Sequence, residues 1–154
     1  MSEMLGNHYF MTRNYSSAMK EYEEELCRDN KNNNVIKKII ICYVRSGRID
    51  KALELFYNLI NEDIDLIIKT DPVKDDCPCP EIIYECENDF LEVGGKDKRH
   101  VALGILWLYC NIEQSFHYFK KAVQEFPGNN QLIQSFRIIT HNLYKNLPIN
   151  KKLT

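Results

Sequence analysis

The clearest pattern of apolar and polar positions lies in residues 33–61. Apolar side chains recur there at steps of three and four residues, the spacing that places them on one face of an α-helix. The pattern breaks at Gly47, a residue type that adopts the left-handed conformation in which many helices end. It resumes from Ala52 to Ile60. The segment therefore predicts two amphipathic helices that pack antiparallel, with the small Ala52 allowing a close approach.

Similar spacing predicts helices on both sides of this hairpin. Residues 2–13 and the segment after Asn14 form one pair, and residues 101–109, 113–126 and 130–147 form three later helices. Residues 70–80 hold three of the five prolines and three acidic residues, which predicts an irregular loop of the kind that is often functional or mobile. Pro80 then begins a helix with an apolar stripe at Ile82, Ile83, Cys86, Phe90 and Leu91, and Gly94-Gly95 ends it. We expect about eight helices and no sheet.

The first two helix pairs coincide when one is displaced by 34 residues. Leu5 falls on Ile39, Tyr9 on Tyr43, Ala18 on Ala52 and Tyr22 on Phe56, whereas Gly6 falls on Ile40 and breaks the match. A third copy contains Leu103-Gly104, Ser115, Phe119, Ala122 and Pro127, with a turn one residue shorter. In these residues the chain resembles the tetratricopeptide repeat (TPR) family, whose period and whose order of large, small and aromatic residues are the same.

The resemblance implies an all-α fold, in which antiparallel helical hairpins stack as a short right-handed α-solenoid. Residues 1–154 would form a single domain with repeats at about 1–32, 33–66 and 98–129. An insertion at residues 62–97 separates the second repeat from the third. Residues 130–147 would form a capping helix, since the last repeat of such an array exposes an apolar face.

Composition and charge narrow the functional classes. A net charge of -2 disfavours nucleic-acid binding through a broad basic surface. No apolar run reaches the ~18 to 20 residues of a membrane span, and residues 1–10 lack the pattern of a signal peptide. We therefore expect a cytoplasmic protein that contacts neither nucleic acid nor membrane, and whose six cysteines are reduced thiols. The sequence leaves the oligomeric state open.

The sharpest local chemistry is the pair Cys77 and Cys79, with Cys86 seven residues further on. A structural zinc site needs four ligands, usually from two close pairs, and the C-x-C spacing is not that of zinc ribbons or thioredoxin-like sites. Nor do cysteines this close in sequence easily form an unstrained disulfide. We expect an incidental pair in a structural loop, no metal and no cofactor, and keep a metal- or redox-responsive regulator as an alternative. Nucleotide-binding and hydrolase motifs are absent, which favours a non-catalytic protein.

Repeats of the family that this chain resembles bind an extended peptide or a helix in a groove lined by the first helices of successive repeats. The resemblance implies that partner-binding residues lie on those helices, at Asn7, Phe10, Asn34, Lys37, Lys38, Ile41, Arg45, Lys98 and Tyr109. The lysines and the arginine form a basic strip that suits an acidic partner. The leading hypothesis is an adaptor for another protein or peptide, and an immunity- or antitoxin-like inhibitor of a toxin is a further alternative.

Overall fold

This computed structural model describes residues 2–88 and 98–147, in which the regular elements are helices. No strand occurs in those ranges, so the all-α prediction is confirmed for them. The described ranges contain nine helices, one more than the eight expected, and the additional one is the four-residue α5. The helices are α1 (Ser2–Met11), α2 (Tyr15–Arg28), α3 (Asn33–Arg45), α4 (Ile49–Asp63), α5 (Asp65–Ile68), α6 (Cys79–Glu87), α7 (Arg99–Leu108), α8 (Ile112–Glu125) and α9 (Asn130–Lys145). The predicted stripe residues Phe90 and Leu91 and the Gly94-Gly95 stop lie outside the described residues.

The turns that close the first two hairpins have the same backbone geometry. Arg13 and Gly47, which are 34 residues apart, have positive φ values of 63° and 81°. In the first turn the amide of Asn14 donates to the carbonyl of Tyr9 at 2.8 Å, and the bond at the equivalent place in the second turn is also 2.8 Å. This is the Schellman arrangement that satisfies the last carbonyls of a helix. Both turns thus end a helix in the same way, although only the second has a glycine.

Small residues lie where the two helices of each hairpin cross. Ala18, Ala52 and Ser115 occupy equivalent places in the three hairpins, and each is 0% exposed. The Ser115 hydroxyl donates to the backbone carbonyl of Gly104 at 2.7 Å, so the polar group is satisfied within the crossing. Helices therefore approach closely at the positions that the sequence pattern marks as small.

A large aromatic ring follows each small residue one turn later. Tyr22, Phe56 and Phe119 are each 0% exposed. Tyr22 packs onto Gly6 and Phe119 onto Gly104, so closely that a methyl group added at either glycine would lie 2.6 to 2.7 Å from a ring carbon. The glycines thus leave room for the rings, which explains why they occur inside helices despite their unfavourable helix propensity.

Consecutive helices pack against each other from α1 to α4, and again from α6 to α9. The two halves join through α4, which contacts both α7 and α9. The ring of Phe56 on α4 stacks on that of Phe119 on α8, with centroids 5.6 Å apart. The buried apolar residues form one cluster that extends from Phe10 on α1 to Ile139 on α9. No helix of the described ranges has the length and apolar character needed to cross a bilayer.

Candidate functional site

A cavity of about 410 Å³ opens between α1, α3 and the α5–α6 loop, residues 69–78. We call it the α1–α3 cavity. Helix α1 supplies Asn7, Phe10 and Met11, and Tyr109 contributes from the end of α7. Helix α3 supplies side chains at steps of three and four residues, because that spacing places them on one face of a helix. These α3 residues are Asn34, Lys37, Lys38 and Ile41.

Seven of the nine partner-binding residues expected from the sequence line this cavity: Asn7, Phe10, Asn34, Lys37, Lys38, Ile41 and Tyr109. The other two are engaged elsewhere. Arg45 lies 3.6 Å from the Glu85 carboxylate on α6 and over the ring of Tyr15. Lys98 is bound to the Asp50 carboxylate at 2.9 Å. Carboxylates within the chain therefore neutralise Arg45 and Lys98, the two outer residues of the predicted basic strip, and the strip is shorter than expected.

The amide of Asn7 is held in one orientation by two donors. The Tyr22 hydroxyl donates to its side-chain oxygen at 2.6 Å, and the Lys38 ammonium donates to the same oxygen at 2.9 Å. The oxygen is therefore occupied, and the NH₂ end of the amide is what Asn7 offers to a ligand. Burial raises the pKa of Tyr22 far above the usual tyrosine range, so its hydroxyl stays protonated and remains a donor.

Lys37 is one of three lysines that line the cavity, with Lys38 and Lys74. Its side chain is partly buried, and no ion pair or hydrogen bond to its ammonium is found in the described part of the chain. Burial lowers its pKa because the charged form loses hydration; Asp75 acts in the opposite direction, and Lys38 lowers the pKa further. A negatively charged ligand would compensate the lost hydration of this ammonium.

Three buried side chains form the apolar floor. Phe10, Ile41 and Tyr109 are 2%, 2% and 1% exposed. The Tyr109 hydroxyl donates to the backbone carbonyl of Lys37 at 2.7 Å and so ties the end of α7 to α3. Burial raises the pKa of Tyr109 well above its ordinary value, so this bond persists over the physiological pH range. The floor is fixed in place, and α3 cannot move without losing this contact.

The α5–α6 loop forms the third wall, with Thr70, Lys74, Asp75, Asp76 and Cys77. Sequence reasoning did not assign these residues to the partner-binding groove, and it considered Cys77 only for the metal- or redox-responsive alternative. The available signal was the length and the proline and acid content of the loop, which indicate function without locating it.

The loop is anchored to the first hairpin turn by Arg13. The Arg13 guanidinium lies 3.1 Å from the Glu81 carboxylate and 3.4 Å from the Asp76 carboxylate. The residue at the end of α1 thus positions one wall of the cavity.

One expectation about the cysteines is wrong. Cys77 and Cys79 form a disulfide, with Cα atoms 5.4 Å apart. The turn at Pro78 brings the two sulfurs together, a local geometry that the C-x-C spacing alone did not indicate. The four other cysteines are free thiols, as expected, and Cys86 is buried on α6.

The disulfide also bears on the metal alternative. A cysteine in a disulfide supplies no thiolate ligand, and Cys77 and Cys79 are two of the three candidates. Among residues 2–88 and 98–147, no group of three or more His, Cys, Asp or Glu side chains is arranged to hold a metal ion. The described side chains therefore offer no metal centre in this state.

The arrangement of the α1–α3 cavity suits binding. It combines a cation, an oriented amide and a fixed apolar floor, which together can hold an acidic group attached to an apolar body. No protein-family model, curated protein or solved structure matches this chain.

Proposed function

We propose that this protein is a non-catalytic interaction module of the TPR type, which holds an acidic segment of a partner protein in the α1–α3 cavity. The observation that carries the proposal is that residues from α1, α3 and the end of α7 meet in one basic, apolar-floored cavity. These residues are far apart in the sequence, and the resemblance to the TPR family implies that they line one groove.

The internal equivalence of the hairpins supports a stacked-repeat architecture. The first two turns have the same hydrogen bond 34 residues apart, and the three crossings have small and aromatic residues at equivalent positions. We propose that these hairpins stack as a short right-handed solenoid with α9 as its cap. In the described structure α9 packs against both α8 and α4, so the cap would also cover the second repeat.

The size of the cavity favours an extended segment over a helix. One turn of α-helix, about 5.4 Å long and about 10 Å across, occupies roughly 420 Å³. The cavity of about 410 Å³ would be filled by a single turn. A partner is therefore expected to insert one or two side chains from an extended chain.

Differential capture tests the proposal. The wild-type protein, Lys37→Glu and Lys120→Glu are used as baits in lysate of the native cell, with crosslinking and mass spectrometry. Lys120 is exposed on α8, outside the cavity, and gives the matched change of charge. We expect a protein that binds the wild type and Lys120→Glu but is lost with Lys37→Glu, while all three baits melt at similar temperatures. If Lys37→Glu retains every protein that the wild type binds, the proposal is refuted.

A redox-responsive role is a second candidate, because the Cys77–Cys79 disulfide lies at the cavity wall. A dithiol reductant would convert the disulfide into two thiols while the reductant becomes a cyclic disulfide. Partner capture with and without reductant, compared with Cys77→Ser/Cys79→Ser, tests this role. Equal capture in both conditions would exclude it. The toxin-inhibitor alternative and the cytoplasmic location stay predictions.

A further inference from the structure

Two exposed methionines lie on the edge of α1 that borders the cavity. Met4 and Met11 are 76% and 63% exposed. They are seven residues apart, so the helical repeat places them within about 20° of each other around α1 and about 10.5 Å apart along its axis. Met11 lines the α1–α3 cavity. Single exposed apolar residues are ordinary, but this pair continues the apolar lining of the cavity along α1. We call Met4 and Met11 the methionine strip.

The lysines of α3 lie level with the middle of the methionine strip. Asn7 is three residues after Met4 and four residues before Met11, and the Lys38 ammonium donates to its side-chain oxygen at 2.9 Å. Lys37 is the neighbour of Lys38 on α3 and lines the same cavity. A chain bound along the strip would therefore meet positive charge between its two apolar contacts.

The cavity lining has an excess of positive charge. Its charged residues are three lysines and two aspartates, namely Lys37, Lys38, Lys74, Asp75 and Asp76. The Arg13 guanidinium lies 3.4 Å from the Asp76 carboxylate and also pairs with Glu81, so one of the two aspartates already has a cationic partner. Glu3, at the N-terminal end of the strip, accepts a hydrogen bond from the side-chain amide of Asn32 at 2.7 Å. Charge complementarity therefore favours a bound chain that is acidic between its apolar residues.

The length of the strip selects the conformation of a bound chain. Side chains on one face of a β-strand repeat every roughly 6.6 Å, so their spacings differ from the strip by about 3 to 4 Å. In a polyproline II helix, residues three apart lie on the same face and are about 9.3 Å apart. The remaining difference of about 1 Å is within the reach of the flexible methionine side chain. The strip thus fits apolar residues at positions i and i+3 of a polyproline II segment.

We infer that the methionine strip and the α1–α3 cavity together bind a partner segment in the polyproline II conformation. The segment has two apolar residues three positions apart and an acidic residue between them. Its apolar side chains pack on Met4 and Met11, and its carboxylate points across the groove to Lys37. This inference rests on the proposed function and adds the conformation and the sequence pattern of the partner.

Peptide probes test the pattern directly. N-acetyl-Leu-Glu-Pro-Leu-amide has the inferred spacing, and its proline favours polyproline II and disfavours a helix. It is titrated into protein labelled with ¹³C at the methionine methyl groups, and NMR follows their signals. We expect the signals of Met4 and Met11 to shift together, while that of Met19, which is only 9% exposed, stays in place. If the probe shifts neither strip signal, the inference is wrong.

Two matched probes separate the charge from the spacing. N-acetyl-Leu-Gln-Pro-Leu-amide is uncharged and should bind about fivefold more weakly, since hydrogen bonds to a charged group are stronger. N-acetyl-Leu-Glu-Pro-Pro-Leu-amide keeps the charge but moves the second leucine out of register, and it should also bind about fivefold more weakly. Equal affinity of the first probe and either matched probe would overturn the inferred pattern.

Variants of α1 separate the strip from the rest of the helix. Met4→Gln keeps the length of the side chain and removes an apolar contact, so we expect about fivefold weaker binding of the Glu probe at an unchanged melting temperature. Leu5→Gln is the control, because Leu5 is 42% exposed on the same helix but lies about 100° around it from Met4. It should bind within about twofold of the wild type. Equal losses in the two variants, or no loss in Met4→Gln, would refute the role of the strip.

Sedimentation at the NMR concentration tests whether a second copy of the chain covers the strip instead. We expect the wild type and Met4→Gln to be monomers. A wild-type dimer that dissociates in Met4→Gln would assign the strip to self-association and overturn the inference.

The outcomes distinguish this inference from the proposed function. If lysate capture depends on Lys37 while the Glu probe leaves Met4 and Met11 undisturbed, the adaptor role stands and the inferred pattern is wrong. If the Glu probe binds as expected while no protein is captured, the chemistry of the surface stands and the protein partner is wrong.

Discussion

The turn at Arg13 allows the 34-residue equivalence to be tested by stability measurements. Arg13 adopts φ 63°, and its equivalent Gly47 adopts φ 81°. A left-handed conformation costs an L-residue roughly 1–2 kcal/mol, whereas glycine adopts it freely. The two positions should therefore respond to glycine and alanine in the same way, although one has arginine in the native chain.

Three variants isolate this conformational cost. Gly47→Ala should lose about 1 kcal/mol of unfolding free energy. Arg13→Ala loses the ion pairs to Asp76 and Glu81, whose side chains are 47% and 57% exposed, so that loss should stay below about 1 kcal/mol. Arg13→Gly loses the same ion pairs but relieves the backbone, and it should be about 1 kcal/mol more stable than Arg13→Ala.

Urea unfolding followed by far-UV circular dichroism and Trp107 fluorescence measures these differences, and thermal melting checks them. For a chain of this size, about 1 kcal/mol corresponds to roughly 2–4 °C in Tm. If Arg13→Gly is no more stable than Arg13→Ala, the turn does not carry the conformational cost that its φ value implies. If Gly47→Ala is fully stable, the equivalence of the two turns is refuted.

Three further predictions concern the core and the cavity. Gly104→Ala should lose about 1 kcal/mol of unfolding free energy, because the new methyl group meets the Phe119 ring at 2.7 Å and overpacking outweighs the gain in helix propensity. Gly128→Ala, with open space around it, should cost less, and equal melting temperatures of the two variants would contradict this. Lys37→Met should raise Tm at neutral pH, since burial lowers the pKa of Lys37 and penalises its charged form. The gain in Tm should vanish above the usual lysine pKa, where the lysine is neutral in both the folded and the unfolded chain. A gain that persists there would contradict the reasoning. Burial raises the pKa of Cys42 to about 12, so mass spectrometry at pH 8 should find it unalkylated while the exposed thiol of Cys27 reacts.

Local pattern in the sequence determined the helices and the geometry of the hairpins. The apolar spacing of residues 33–61 predicted α3 and α4, and the turn at Gly47 lies where the glycine indicated. The small and aromatic positions of the hairpins, such as Ala52 and Phe56, are buried where the helices cross. These features follow from contacts within one hairpin, so a few tens of residues of sequence contain the information that specifies them.

Which charged surfaces stay available to a partner depends on how the helices pack. Arg45 and Lys98 belong to the same basic pattern as Lys37, but Glu85 and Asp50 neutralise them, and no local spacing indicates those pairings. Arg13 meets a carboxylate 68 residues away. Electrostatic contacts over such separations depend on how the helices pack. The spacing of apolar residues in the sequence does not indicate which residue a surface charge will contact.

The same distinction applies to the insertion. Its proline and acid content identified a loop, and its length indicated a role, but only the packed fold made that loop a wall of the α1–α3 cavity. The spacing of apolar residues within one or two turns of a helix determines which face of that helix is buried. The shape of the α1–α3 cavity depends on three segments that are remote in sequence, and their meeting is a property of the packed chain.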